Sequence, residues 1–266
     1  MKPIFFPSEY LNKSSFVFFI LLSLLVFIYL VWKRAKEKLY LEETIFDSIF
    51  FIVFFFFLGA RICFIFFNIE NFGLNIFKWI LFTNYPGFEY YGGLIAALLA
   101  HRYFFYYKTK KIPFWEVFDY YAEGFYLAFI VSQIGVFLSG LELGKITGFF
   151  LAVRFQDGSM HYPVALYRIF LLILFFVLIL RLRNSLFIKR RNYLFGLFGL
   201  CLMLIFSLTN FLVDNLVEST VYYLKLIPSQ WLNLGLILIY FYFINKKIGY
   251  DIKSEIRRYI KKTKNV

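Results

Sequence analysis

Apolar residues run in blocks of membrane length, separated by short segments where Gly, Pro and charge collect. Ser15–Trp32 is the first block, closed at once by Lys33, Arg34, Lys36 and Lys38. Others follow at Ile45–Phe67, Gly92–Tyr107, Val117–Phe137, Val164–Leu180, Leu194–Val213 and Leu232–Ile244. A hydrocarbon core of about 30 Å takes roughly 20 helical residues, and only helices or closed barrels satisfy their own backbone inside it. The pattern predicts an all-α polytopic membrane protein with about seven transmembrane helices. No small-residue cleavage site follows the first block, which therefore reads as a retained span. Phe72–Phe82 is too short to cross and carries Lys78 beside Trp79, as an interfacial or re-entrant helix would. Near the C-terminus, Ile248, Ile252, Ile256, Tyr259 and Ile260 recur at helical spacing against Lys253, Arg257, Arg258, Lys261 and Lys262. Residues 246–266 thus read as a basic amphipathic cytoplasmic tail, and residues 1–245 as a transmembrane domain with an extracytoplasmic-side cavity.

Charge placement sets the orientation. Basic clusters follow the first, third, fifth and seventh blocks: Lys33–Lys38, Lys108–Lys111, Arg181–Arg191 and Lys246–Lys247. Positive residues concentrate on the cytoplasmic side, so the N-terminus is expected outside and the C-terminus inside. The formal net charge of +13 is then a topology signal, and no nucleic-acid partner is expected. Hydrophobic residues make up 61% of the chain and mean hydropathy is +0.71, both in keeping with a multi-pass protein. Cys63 and Cys201 both lie in apolar blocks and read as buried thiols, not as a disulfide. No metal or cofactor motif is present.

This orientation gathers Asn68–Tyr91, Ser139–Pro163 and Asp214–Trp231 on the extracytoplasmic side, where the candidate chemistry lies. Arg61 sits near the outer end of the second block. A buried arginine needs a partner; an anionic lipid headgroup and a loop carboxylate such as Glu70 or Glu142 are alternatives. Tyr91, Gly92 and Gly93 open the third block; the glycines permit close backbone approach, and a helix N-terminus attracts an anion. Gln133, Gly135, Ser139, Glu142, Gly144 and Lys145 cluster where the fourth block surfaces, a density that favours a cavity over packing. His161 precedes the fifth block and reads as a solvated histidine. Asn210 and Asp214 share one face at the outer end of the sixth, directed toward the bundle interior.

The set Phe88-Glu-Tyr-Tyr-Gly-Gly-Leu-Ile95, Phe114-Trp-x-x-x-Asp119, Ile134-Gly-x-Phe-Leu-Ser-Gly-x-x-x-Gly-Lys145 and Tyr162-Pro-x-x-Leu-Tyr167 resembles the prolipoprotein diacylglyceryl transferases in order and spacing. Leu58-Gly-Ala-Arg61, Asn210-Phe-x-x-Asp214 and Gln230-Trp-Leu232 extend the resemblance. It implies transfer of diacylglyceryl from phosphatidylglycerol to the lipobox cysteine thiol of a prolipoprotein, in a bacterial inner membrane and with no cofactor. Its implied partners are phosphatidylglycerol, the prolipoprotein signal peptide and other membrane lipids. Tyr91, Glu142 and Asp214 fall at its implied catalytic positions. Arg61, Gly92, Gly93, Gln133, Gly135, Ser139, Gly144 and Asn210 fall at its implied substrate-binding positions. The resemblance places Gln133 and Asn210 where the family has arginines, and Arg168 where it has glutamate. Substitute positive charge is expected from Arg61, Lys145, Arg154 or His161. The missing arginines also leave open a relative that binds phospholipid or lipoprotein precursor without transfer.

Overall fold

The computed structural model describes residues 9–73, 75–81, 85, 87–109, 112–155, 158–182, 195–219 and 221–263, with side chains from 15 to 249 apart from 71 and 182. Over the described residues every apolar block is helical, apart from the turn at Phe195 and Gly196 that precedes α8 (Leu197–Val213). The order is α1 (Glu9–Glu37), α2 (Glu42–Phe67), α3 (Ile69–Phe72), α4 (Ile76–Ile80), α5 (Tyr90–Tyr103) running into a π-helical turn (Phe104–Lys108), and α6 (Phe114–Ser139). A short hairpin of β1 (Val153–Arg154) and β2 (Met160–His161) follows. Then come α7 (Val164–Leu182), α8 (Leu197–Val213) with a 3-10 turn at Asp214–Leu216, and α9 (Pro228–Thr263). The protein is an all-α polytopic membrane protein. Five helices, namely α1 from Ser15, α2, α6, α7 and α8 with its terminal turn, are long and apolar enough to cross by themselves. Helix α5 is shorter, and the π-helical turn extends it by Phe104–Lys108.

The expected interfacial helix is split in two. Gly73, at a φ of 55°, ends α3, and Asn75 caps α4 by accepting the Phe77 amide. Ile76, Phe77 and Ile80 of α4 are exposed. The basic residues Lys110, Lys111, Arg183 and 189–191 lie outside the described residues. So do the side chains of the expected amphipathic tail beyond residue 249, although α9 itself continues to Thr263.

The chain forms two compact units, one of residues 1–30 and 119–266, the other of residues 31–118. In the first, α8 packs against α7 and α9 and is the most buried of the five long helices. Phe206 of α8 meets the edges of Phe125 and Phe129 of α6, and Tyr126 Oη donates to Leu172 O across to α7 at 2.9 Å. The N-terminus of α8 is capped from another helix: Asp119 of α6 accepts the amides of Gly196 (2.8 Å) and Gly199 (2.6 Å). Those amides have no partner within α8, and its positive dipole end favours a carboxylate. The Phe114-Trp-x-x-x-Asp119 motif is therefore a tertiary helix cap.

Lys247 fastens α9 beside the same spot, donating to Phe195 O at 2.5 Å. Burial pushes its pKa down from 10.5 to about 8, against an upward pull from Asp119. Between those values the folded chain binds fewer protons than the unfolded one, so this group makes stability rise with pH. Lys247→Met removes this group, so the wild-type-minus-variant stability difference should rise with pH across that window, read from thermal unfolding in micelles.

Candidate active site

Four segments of the first unit meet at one guanidinium. Arg168 lies in the opening turns of α7, where Pro163, just before the helix, presets the chain's entry. Its Nη1 donates to Gln133 Oε1 of α6 at 3.0 Å and to Glu142 Oε2 at 2.6 Å. Its Nη2 donates to Glu142 Oε1 at 3.0 Å and to Asp214 Oδ1 at 2.9 Å. Glu142 is thus held in the two-pronged geometry that suits arginine. Asp214, ending α8, also accepts from Ser229 Oγ at 2.7 Å and from Asn233 Nδ2 of α9 at 3.4 Å. The side chains of Arg168 and Asp214 are 4% and 3% exposed, while Glu142 keeps 23%. The end of α6, the start of α7, the end of α8 and the start of α9 fall together because consecutive helices reverse direction.

The loop over this cluster is held by short β-pairing. Gly144 bridges Val217, and Ile146 bridges His161. His161 is 1% exposed, which overturns its reading as a solvated histidine. Its Nδ1 lies 2.6 Å from Gly144 O, a pure acceptor, so Nδ1 carries the proton. Its Nε2 meets Ser159 Oγ at 2.5 Å, and Glu218 stands 3.8 Å from Nδ1. A Cβ at Gly144 would collide with Tyr162 O and come within 2.8 Å of Tyr162 Cβ, so the loop closes this tightly only with glycine there. Gly135 packs on Phe19 of α1, and Ser139 donates to Val136 O within its own helix. Asn210 is fully buried; its Nδ2 donates to Phe206 O, and its Oδ1 has no partner among the described residues.

Gln133, Glu142, Asp214 and Asn210 therefore lie in one unit, the first three joined directly through Arg168. Arg168 was absent from the expected set. Its signal was a paired exchange: arginine at a glutamate position of the resemblance, and glutamine at an arginine position. Of the cations expected to stand in, His161 is engaged by the loop, and Lys145 and Arg154 make no ion pair among the described residues.

Arg61, Tyr91, Gly92 and Gly93 belong to the second unit. Neither Glu70 nor Glu142 holds Arg61, contrary to one expectation. It donates instead to four backbone carbonyls: Trp79 (2.9 Å), Tyr85 (2.8 Å), Gly87 (2.9 Å) and Lys78 (3.1 Å). Phe64, Phe72 and Phe88 surround it at 5.2 to 6.0 Å. Four of its five donors thus hold the backbone of α4 and of Tyr85 and Gly87. Tyr91 is fully buried, with its ring 4.0 Å from that of Tyr90. Gly92 lies where α5 crosses α2: a Cβ there would overlap Cys63 Cβ and stand 2.6 Å from Gly59 O. A Cβ at Gly93 would press on Phe56.

An all-α polytopic membrane protein with a charged cluster buried at one end of its helices is the class of molecule these observations describe. The family model for prolipoprotein diacylglyceryl transferase matches residues 3–245, and the chain belongs to that family, which is one of transferases. It is 26% identical over 247 residues to a Streptococcus pneumoniae (strain JJA) protein named phosphatidylglycerol–prolipoprotein diacylglyceryl transferase, covering 89% of this chain and 92% of that one. The protein of that name from the serotype 4 strain of Streptococcus pneumoniae is 25% identical over the same coverage.

Breaking a buried ion pair by removing one partner costs about 3–5 kcal/mol. Arg168→Met should destabilise the protein by that order, and adding Asp214→Asn should recover part of the loss, giving non-additive melting shifts. In α5, alanine is favoured over glycine by about 1 kcal/mol on helix propensity, yet overpacking costs roughly 1–3 kcal/mol. Gly92→Ala should therefore lower the melting temperature.

Proposed function

We propose that the protein transfers the diacylglyceryl group of phosphatidylglycerol to the cysteine thiol of a prolipoprotein at the extracytoplasmic face of a bacterial plasma membrane. The relatives' names support the two substrates, and the basic clusters support seven crossings with the N-terminus outside. That orientation assigns the Arg168 end of the helices to the outer leaflet.

The observation that carries the reading is two carboxylates on one guanidinium. With both carboxylates ionised, the Glu142–Arg168–Asp214 cluster has one more negative charge than positive, so it takes up a proton without becoming cationic. Asp214 is engaged by Arg168, Ser229 and Asn233, whereas Glu142 keeps a solvent-facing edge. Glu142 is therefore the group assigned to receive the thiol proton, with Arg168 and Asp214 fixing its position. The thiolate sulfur then attacks the glyceryl carbon that bears the phosphate. The S–C bond forms as the C–O bond breaks, and glycerol phosphate leaves with the electron pair. The proton held on Glu142 passes to that phosphate, which closes the cycle.

Purified protein in phosphatidylglycerol liposomes should add one diacylglyceryl mass to a lipobox peptide, and none to its Cys→Ser counterpart. General-base catalysis contributes about 10²–10⁴-fold, and Glu142→Gln should slow transfer by that order. No product, with a Streptococcus pneumoniae relative active in parallel, would overturn the proposal. Phospholipid retained through purification but never turned over would instead establish the binding-only reading, which the replacement of arginine by Gln133 favours.

A further inference from the structure

Two tight turns of the first unit carry apolar residues at their centres, where Gly, Asn, Asp and Pro are the usual choice. In the connection between α6 and α7, Ala152 N donates to Phe149 O at 2.9 Å, which sets Phe150 and Leu151 at the centre of a turn, 81% and 50% exposed. In the connection between α8 and α9, Tyr223 and Leu226 exchange backbone bonds of 2.8 and 3.0 Å around Leu224 and Lys225. Both of these central residues have positive φ, 49° and 67°, and Leu224 is 85% exposed. A left-handed backbone is unfavourable for a residue with a Cβ, and glycine would avoid the strain. The leucine therefore gains nothing for the fold, either in backbone conformation or in burial.

One β-paired platform carries both turns. Lys145 N donates to Leu216 O at 2.8 Å and Glu218 N to Leu143 O at 2.9 Å, while Thr147 N donates to Met160 O at 2.8 Å and Tyr162 N to Lys145 O at 3.2 Å. The indole N–H of Trp231 donates to Tyr223 O at 3.0 Å and keeps the second turn beside the opening of α9. That opening is tied through Asp214 to the end of α8, one of the helices long and apolar enough to cross. The turns thus belong to the zone where helices leave the hydrocarbon. Lys145, Arg154 and Lys225 are exposed on the same connections and make no ion pair among the described residues. Against them, Glu218 is the one exposed carboxylate among the described residues of the two connections.

An apolar tip left in water forgoes the free energy of burial. The boundary of an anionic bilayer supplies what both kinds of group lack, acyl surface for the tips and phosphates for the cations, and aromatic residues favour that depth. We propose that the Phe149–Leu151 and Tyr222–Lys225 turns form a docking surface for the anionic lipid leaflet around the ends of α6, α7 and α8. Phe150 and Leu224 enter the acyl boundary, and Lys145, Arg154 and Lys225 lie on the phosphates. A second copy of this chain would bring the same cations to the contact, so charge selects lipid over self-association. The platform includes Gly144 and His161, so docking holds the loop over Arg168 against the leaflet, whatever reaction occurs beneath it.

The test uses the full chain in nanodiscs, in a Cys63→Ala, Cys201→Ala background, with a fluorophore on Phe150→Cys or Leu224→Cys. In phosphatidylglycerol discs both labels should be quenched by lipid bearing a nitroxide near the headgroup and shielded from aqueous acrylamide. Phosphatidylcholine discs should shield them less. A cation near an anionic surface is worth about fivefold in the ratio of docked to undocked states, so Lys225→Gln should lower that ratio by this factor in phosphatidylglycerol. Leu224→Gly, which relieves the positive φ, should melt at or above the wild-type temperature yet weaken the shielding of the label at 150, separating docking from folding. Labels open to acrylamide and untouched by the nitroxide would overturn the proposal. So would shielding that appears only with a lipobox peptide, which would make the surface a peptide site, or only in discs holding two copies, which would make it a self-association face. No readout here uses transfer, so failure of docking and failure of the proposed reaction are told apart.

Discussion

A single buried guanidinium organises the first unit. Taking an arginine and two carboxylates out of water carries a desolvation penalty of several kcal/mol per ion, recovered only where geometry and extra hydrogen bonds are good. Arg168 meets that condition with four short bonds, and Asp214 gains two more donors from the start of α9. The consequence is positional. Four chain segments that hydrophobic packing alone would leave free to slide or rotate are referenced to one rigid planar group. Apolar contacts between membrane helices are poor at setting register, since lipid tails are as apolar as leucine. Directional bonds at the boundary supply that register.

The same logic appears at the other end of this unit with different chemistry. Asp119 caps α8 through two amides, and Lys247 ties α9 to the carbonyl of Phe195. In the second unit Arg61 collects carbonyls from α4 and from Tyr85 and Gly87. These charged groups hold backbone amides or carbonyls, whereas the Arg168 cluster sets one cation between two carboxylates. That contrast, more than depth of burial, separates scaffold from candidate chemistry here.

Much of this architecture was legible in the chain. Hydrophobic blocks located every long helix, because length and apolarity are local properties. The Asn210–Asp214 pair was correctly read as facing inward, because the spacing of four places both on one helical face. What escaped were partnerships. Nothing local in Arg61 says that its acceptors are backbone oxygens some twenty residues on, since carbonyls carry no residue identity. His161 read as solvated because burial by a folded loop is a tertiary fact. Arg168 was passed over since an arginine where a glutamate was expected looked like a loss. Paired with Gln133, at the position of a missing arginine, the same substitution becomes a relocation of charge. The glycines were half legible: Gly92 and Gly144 do mark close approach, but the approaching groups are Cys63 and Tyr162 of the chain itself.

Helix α9 is pinned at two places: near its start by Ser229 and Asn233 to Asp214, and eighteen residues later by Lys247 to Phe195. At 1.5 Å per residue those pins are about 27 Å apart, close to the roughly 30 Å thickness of a hydrocarbon core. A helix fastened at both ends cannot answer a thinner bilayer by sliding; it must tilt together with its neighbours or strain one of its pins. The first unit thus contains a strut of nearly membrane length with one end on the carboxylate that Arg168 holds. On the seven-crossing proposal, the thickness of the surrounding lipid is thereby linked to the geometry of Asp214.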